Sequence, residues 1–221
     1  MATAENIHRL KQSVPSHVRI IAVSKTVSET RILEAYNCGH KLFGENRVQE
    51  LLRKQANLPG DIEWHMIGHL QSNKVKYIAP FIAMIHSVDN PGLLSIINQE
   101  AVKNNRIIPC LLQLKIAKEE TKYGLTLKEA DGILSSPEFQ ALKGIKINGL
   151  MGMATFTEDT ALIRSEFRYL ATCFKQIKAL YFSHDESFCD LSMGMSGDYT
   201  VAIEEGATLL RIGTLIFGSR I

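Results

Sequence analysis

The chain has 221 residues, 45% of them hydrophobic, enough for a sizeable core in one large domain or two small ones. Its 25 basic and 23 acidic residues leave a net charge of +2 without a long run of either sign, which disfavours nucleic acid or a membrane face as a partner. No segment reaches the ~18 uninterrupted apolar residues of a membrane span, and Met1–Leu10 lacks the apolar core of a signal peptide. Cys38, Cys110, Cys173 and Cys189 lack the spacing of a zinc site or redox pair. A cytoplasmic protein with reduced, mostly buried thiols is expected.

The first element is a helix over Ala2–Ser13, where charged and apolar residues alternate at helical spacing. Short apolar, β-branched runs then recur at Val18–Lys25, Lys41–Gly44, Ile62–Gly68, Ala83–Val88, Ile107–Ile116, Ile145–Met151, Phe188–Met193 and Thr208–Gly213, giving eight candidate strands. Helical signals lie between them. Gly39 and Gly206 are placed as left-handed stops after Glu29–Cys38 and Asp198–Glu205. Asn90-Pro91 supplies a cap and a first-turn proline, and Thr126-Leu-Lys-Glu129 is a capping box. The strongest helix spans Thr160–Tyr181, with Ile163, Phe167, Leu170, Phe174, Ile177 and Tyr181 spaced by four and three as a core stripe.

Strands alternating with helices predict an α/β protein: a single (β/α)8 barrel domain over residues 1–221, with the first helix as an extra element. A doubly wound open sheet competes. Its glycine-rich loop would follow the first strand, but Ser24-Lys-Thr26 stands there, and neither GxGxxG nor GxxxxGK[ST] occurs in the chain.

In a barrel, polar residues at the carboxyl ends of the strands converge on one face. Those ends carry Lys25, Asn46, His69, Lys115, Ser192 and Arg211–Thr214. Lys25 is a candidate nucleophilic amine, because burial lowers a lysine's proton affinity; it could equally snorkel past the strand end to water. Gly213-Thr214, opening a short helical turn over Thr214–Phe217, together with Ser192 suits a phosphate, or the same residues simply turn the chain and cap helices. Arg211 either pairs with a carboxylate inside the barrel or faces a ligand acceptor. His65 and His69 have the spacing of a helical metal pair, but on a strand they would lie roughly 13 Å apart, which argues against a metal site. No GxSxG nucleophile elbow is present.

Several motifs together resemble one family. Ala22-Val-Ser-Lys-Thr26, Phe43-Gly-Glu-Asn-Arg-Val-Gln-Glu50, Trp64-His-Met-Ile-Gly68, Gly149-Leu-Met-Gly-Met153, Leu191-Ser-Met-Gly-Met-Ser196 and Arg211-Ile-Gly-Thr-Leu-Ile-Phe-Gly218 are similar to the pyridoxal phosphate homeostasis proteins, in order and over nearly the whole chain. The resemblance implies a fold-type III barrel like the N-terminal domain of alanine racemase, with pyridoxal 5'-phosphate held as a Schiff base on Lys25. It further implies that Ser192, Gly213 and Thr214 hold the phosphate, that Arg211 faces the pyridine nitrogen and that Asn46 lies beside the ring. His69 and Lys115 depart from the pattern, where proline and asparagine are common, while Lys122 and Gly124 agree with it.

The function implied is that of a cofactor carrier or reservoir, serving apo-enzymes transiently. An arginine opposite the ring nitrogen leaves that nitrogen unprotonated and the ring a weak electron sink. Racemases of this fold also draw a second base from a separate domain, for which a chain ending at Ile221 has no room; a monomer is expected. The alternatives are a racemase or lyase pairing Lys25 with His69, Tyr123 or Cys189, and an aldolase barrel without the cofactor.

Overall fold

Eight parallel strands follow one another around a closed barrel: β1 (Arg19–Val23), β2 (Leu42–Glu45), β3 (Glu63–Met66), β4 (Met84–Val88), β5 (Ile108–Gln113), β6 (Ile145–Met151), β7 (Asp190–Ser192) and β8 (Leu209–Ile212). The last strand pairs back on the first, with Ile21 beside Arg211. This computed structural model describes residues 2–117 and 123–218, so the family-like Lys122 lies outside the described residues. Around the strands lie α1 (Ala2–Ser13), α2 (Glu29–Asn37), α3 (Val48–Asn57), α4 (Val75–Ile78), α5 (Pro91–Lys103), α6 (Leu127–Leu134), α7 (Pro137–Gln140), α8 (Thr160–Tyr181), α9 (Tyr199–Glu204) and α10 (Thr214–Phe217).

The pleat sorts side chains into two cores, because alternate residues of a strand point to opposite faces. Ile20, Ala22, Phe43, Trp64, Ile85, Leu112, Leu150 and Leu210 belong to the large core that includes residues of the helices. Ile21, Met84, Leu111, Met151 and Leu209 form a separate cluster inside the barrel. Interior space is tight: a Cβ on Gly44 would lie 2.8 Å from Ile21 Cγ2 and 3.0 Å from Ile67 Cδ1. Only glycine fits there without displacing a neighbour.

The helix signals match their structures. Asn90 Oδ1 accepts the Leu93 N–H at 2.8 Å, Thr126 and Glu129 form the reciprocal capping box, and Gly39 and Gly206 adopt φ of 78° and 96°. The strands are shorter than the apolar runs, so Ser24 and Lys25 lie just past the end of β1. The cysteines divide evenly, contrary to the expectation of mostly buried thiols: Cys110 and Cys173 are buried, Cys38 and Cys189 exposed. No helix among the described residues is long and apolar enough to cross a membrane.

Three histidines are buried as neutral imidazoles. Burial, then the Lys11 charge, pulls His40 down to about 4, and burial with the Arg19 charge pulls His65 down to about 3. His86 lies well below its ordinary value through burial and the nearby His65, Arg211 and Arg19. Below their ordinary 6.5, the unfolded chain therefore binds protons that the fold refuses. Stability should fall as pH drops below that value, each histidine contributing up to about 1.4 kcal/mol per pH unit. Burial raises Glu45 and Asp190, which act in the opposite sense nearer the carboxylate range, so the slope is read above about pH 5. Urea denaturation between about pH 7.5 and about pH 5 checks this; a flat midpoint would refute it.

Candidate functional site

A cavity of about 490 Å³ opens at the carboxyl ends of the strands. It brings together five of the six sequence-expected residues, Lys25, Asn46, Arg211, Gly213 and Thr214, from the ends of β1, β2 and β8. The sixth, Ser192, is fully buried and is not among the lining residues; its hydroxyl accepts from Arg211 Nη1 at 2.6 Å inside the barrel. Ser196, four residues on and past the Gly194 turn, lines the cavity instead, and its Oγ lies 3.4 Å from the Leu215 amide. Both serines occur in the same motif. Ser192 is the last residue of β7, on the inward face, whereas Ser196 lies in the loop beyond the barrel mouth.

Each wall has its own support. Gly68 lies against Asn46, so closely that a Cβ there would stand 2.5 Å from the Asn46 carbonyl oxygen. Asn46 Oδ1 is buried and has no hydrogen-bond partner among the described residues, an acceptor that a ligand donor would satisfy. The α10 turn begins at the Gly213–Thr214 wall, where the first amides of a helix have no intrahelical acceptor. The extra helix α1 packs on α10, and Asn6 Nδ2 donates to the Ile216 carbonyl at 3.1 Å. The amino-terminal helix thus braces the wall of the cavity.

Arg211 is 5% exposed, and among the described residues it donates to two neutral oxygens, Ser192 Oγ and the Gly152 carbonyl, the latter at 2.8 Å. Burial draws its pKa down to about 10 while the Asp198 carboxylate pushes it back up, so it stays a cation at neutral pH. A guanidinium carries five N–H donors, more than these bonds use.

Lys25 is partly buried and follows β1 in a turn gripped on both sides. Lys54 of α3, with no exposed surface, donates to the Ser24 carbonyl at 2.6 Å, to Glu45 Oε1 at 2.7 Å and to Glu50 Oε1 at 2.7 Å. The Ser24 hydroxyl donates to Glu45 at 2.6 Å, and the Thr26 amide donates to Glu50 Oε1 at 2.6 Å. Thr26 has φ of 62°, a left-handed conformation that costs a β-branched residue about 1–3 kcal/mol and persists only where its surroundings enforce it. Burial pushes Glu45 above the ordinary carboxylate range, opposed by the bonds from Lys54 and Ser24. Burial also opposes charge on Glu50, but the bonds from Lys54 and Thr26 outweigh it and lower its pKa. Sequence reading missed Lys54; its only local signal is Glu50 four residues earlier on the same helix face.

The three residues considered as an opposite base do not line this cavity. Cys189 stands just before β7, at the other end of the barrel. His69 stacks on Tyr123 with ring centres 4.9 Å apart and faces Asp89 at 3.5 Å. Lys115 is half-buried, donates its amide to Leu125 and is also absent from the lining.

The family model of the alanine racemase N-terminal domain matches residues 1–221. The pyridoxal phosphate homeostasis protein of Aquifex aeolicus is 42% identical over 204 residues, covering 91% of this chain and 87% of that one. Its counterpart in Synechocystis is 40% identical over 214 residues, covering 95% and 94%. Among solved structures, PipY of Synechococcus elongatus with PLP bound is similar at a TM-score of 0.88 and 35% identity, over 98% of this chain and all of the other. Alanine racemase from Bartonella henselae shares the fold at a TM-score of 0.74 and 19% identity, where this chain covers 58% of the longer protein.

The grip on the Lys25 turn is testable. Lys54→Met leaves the buried Glu45 and the partly buried Glu50 without their cation and should lower the unfolding free energy by about 3–5 kcal/mol. The Thr26 amide should also exchange faster with deuterium. Lost stability with unchanged exchange at Thr26 would mean that Lys54 braces the core but not the turn.

Proposed function

We propose, from the premise that the chain belongs to the family of pyridoxal phosphate homeostasis proteins, that it binds pyridoxal 5'-phosphate covalently at Lys25 and serves as a reversible carrier or reservoir of that cofactor. The observation that carries this reading is one cavity uniting an amine, a buried unpartnered acceptor, a cation and a helix-opening turn: Lys25, Asn46, Arg211 and Gly213–Thr214.

The residues fit the group. When bound, pyridoxal phosphate supplies an aldehyde that condenses with a primary amine, releasing one water. Lys25 supplies that amine at the cavity wall, on a turn whose backbone Lys54 and Glu50 hold in place. Gly213, Thr214 and Ser196 supply amides and hydroxyls suited to a phosphate, with Ser196 taking the part that the family pattern suggested for Ser192. Arg211 presents a cation to the pyridine nitrogen; it donates without giving up its proton, so the nitrogen stays an acceptor and carbanion chemistry is disfavoured. These groups hold and orient the cofactor without a visible partner for proton transfer among His69, Tyr123 and Cys189. A mixed surface charge and the lack of a membrane-crossing helix among the described residues suit a cytoplasmic carrier that meets apo-enzymes transiently.

The purified protein should be yellow, lose its colour with hydroxylamine and, after borohydride, carry a pyridoxyl group on Lys25; Lys25→Ala should be colourless. An adduct mapped to another lysine, or none, would sink the assignment. Ser196→Ala should weaken cofactor retention by about tenfold, the worth of one lost hydrogen bond to a charged group. Hydrogen–deuterium exchange at the α-carbon of a panel of amino acids tests the carrier reading itself, since turnover well above that of free pyridoxal phosphate would make the protein an enzyme.

A further inference from the structure

Beneath the cavity, four side chains from four strands form a hydrogen-bonded chain inside the barrel. Arg211 Nη1 donates to Ser192 Oγ at 2.6 Å, Ser192 Oγ lies 3.0 Å from His86 Nδ1, and His86 Nε2 lies 2.9 Å from His65 Nδ1. Arg211 is 5% exposed, Ser192 and His86 are fully buried, and His65 is 2% exposed. The chain starts at a residue that lines the cavity and ends at His65 of β3, which borders a second cavity at the other end of the barrel.

One chemical fact sets the first link. A guanidinium can only donate, so Ser192 Oγ accepts from Arg211, and the hydroxyl accepts most strongly when its own proton goes to His86. His86 Nδ1 is then an acceptor, which places the proton of the neutral ring on Nε2, where it donates to His65 Nδ1. His65 Nδ1 likewise accepts, and its own proton sits on its Nε2. The low proton affinity of both imidazoles, imposed by burial and by the cations nearby, agrees with this neutral arrangement. Each lone pair in the chain points toward Arg211. The buried guanidinium is thereby solvated by oriented dipoles, with the Asp198 carboxylate adding a favourable field from the cavity.

We propose that His86, oriented by His65, is a positioning residue for Arg211: acting through Ser192, it fixes the guanidinium against the cavity and keeps its charge available to the group bound there. The proposal rests on the reading that Arg211 faces the pyridine nitrogen of the cofactor. Without an acceptor at His86, the Ser192 proton is free to swing toward other acceptors. Its lone pair then no longer holds Arg211 in one direction, and the cation loses both its aim and part of its solvation.

Long-range proton–nitrogen correlation of the histidine rings in cofactor-free protein tests the proton order directly. His86 and His65 should both be neutral Nε2–H tautomers at neutral pH; an Nδ1–H tautomer or an imidazolium at His86 would overturn the proposal. Guanidinium N–H signals of Arg211 in the same cofactor-free protein should persist in His86→Asn, which keeps an acceptor toward Ser192, and vanish in His86→Leu. For pyridoxal phosphate itself, His86→Leu should raise the Kd about tenfold and move the visible absorption band, while His86→Asn stays within about twofold of the parent protein. Equal behaviour of the two variants would refute positioning by His86. Should His86→Leu fail to fold, the tautomers of the unaltered chain still decide. If the parent protein takes up no pyridoxal phosphate, the carrier reading fails, and the cofactor-free Arg211 signals decide the positioning separately.

Discussion

Closing eight parallel strands on themselves removes every sheet edge and forces each second side chain into a narrow shared interior, and the remaining features of this protein depend on that constraint. Gly44 has no room for a Cβ because Ile21 and Ile67 already fill its layer. Arg211, next inward on β8 after Leu209, is buried and lines the cavity. Continuing outward along the alternation brings Val23 and then Lys25 to the same opening. The site is thus where the inward faces of β1, β2 and β8 run out of barrel.

Buried charge is handled in two ways in this barrel. Outside the strands, the Glu45–Lys54 pair compensates itself and spends its hydrogen bonds on the backbone of Ser24, with Glu50 extending the grip to Thr26. A buried pair of this kind adds little net stability over an apolar one, and its use is to specify one geometry. Inside the strands, Arg211 is surrounded by neutral acceptors, Ser192 and the Gly152 carbonyl. The first arrangement fixes a backbone turn; the second keeps a cation facing a cavity. An amine on a rigid turn and a cation hydrogen-bonded to neutral oxygens are the two features on which the proposed capture of an aldehyde rests.

Much of this was legible in the amino-acid sequence. The β-branched runs gave all eight strands and their order, since hydrophobic periodicity and strand length are local properties. The Asn90 cap, the Thr126 capping box and the stops at Gly39 and Gly206 are equally local, each depending on residues within one helical turn. Lys25, Asn46, Arg211, Gly213 and Thr214 were placed together by a rule of strand ends combined with motif resemblance, and they share one cavity.

What the sequence by itself determined, then, is the order of elements and which residues stand at the strand ends; what the tertiary structure decided is who faces whom across the barrel. Ser192 and Ser196 lie in one motif, yet the end of β7 falls between them and sends one into the interior and the other to the cavity wall. Lys54 reads as an ordinary helix lysine until α3 docks over Ser24 and Glu45. His65, His86, Ser192 and Arg211 come from β3, β4, β7 and β8, and no spacing along the chain announces that they meet. The physical reason is that strand periodicity encodes the face a side chain takes, whereas contacts across a closed barrel depend on its register and closure, which exist only once all eight strands have paired.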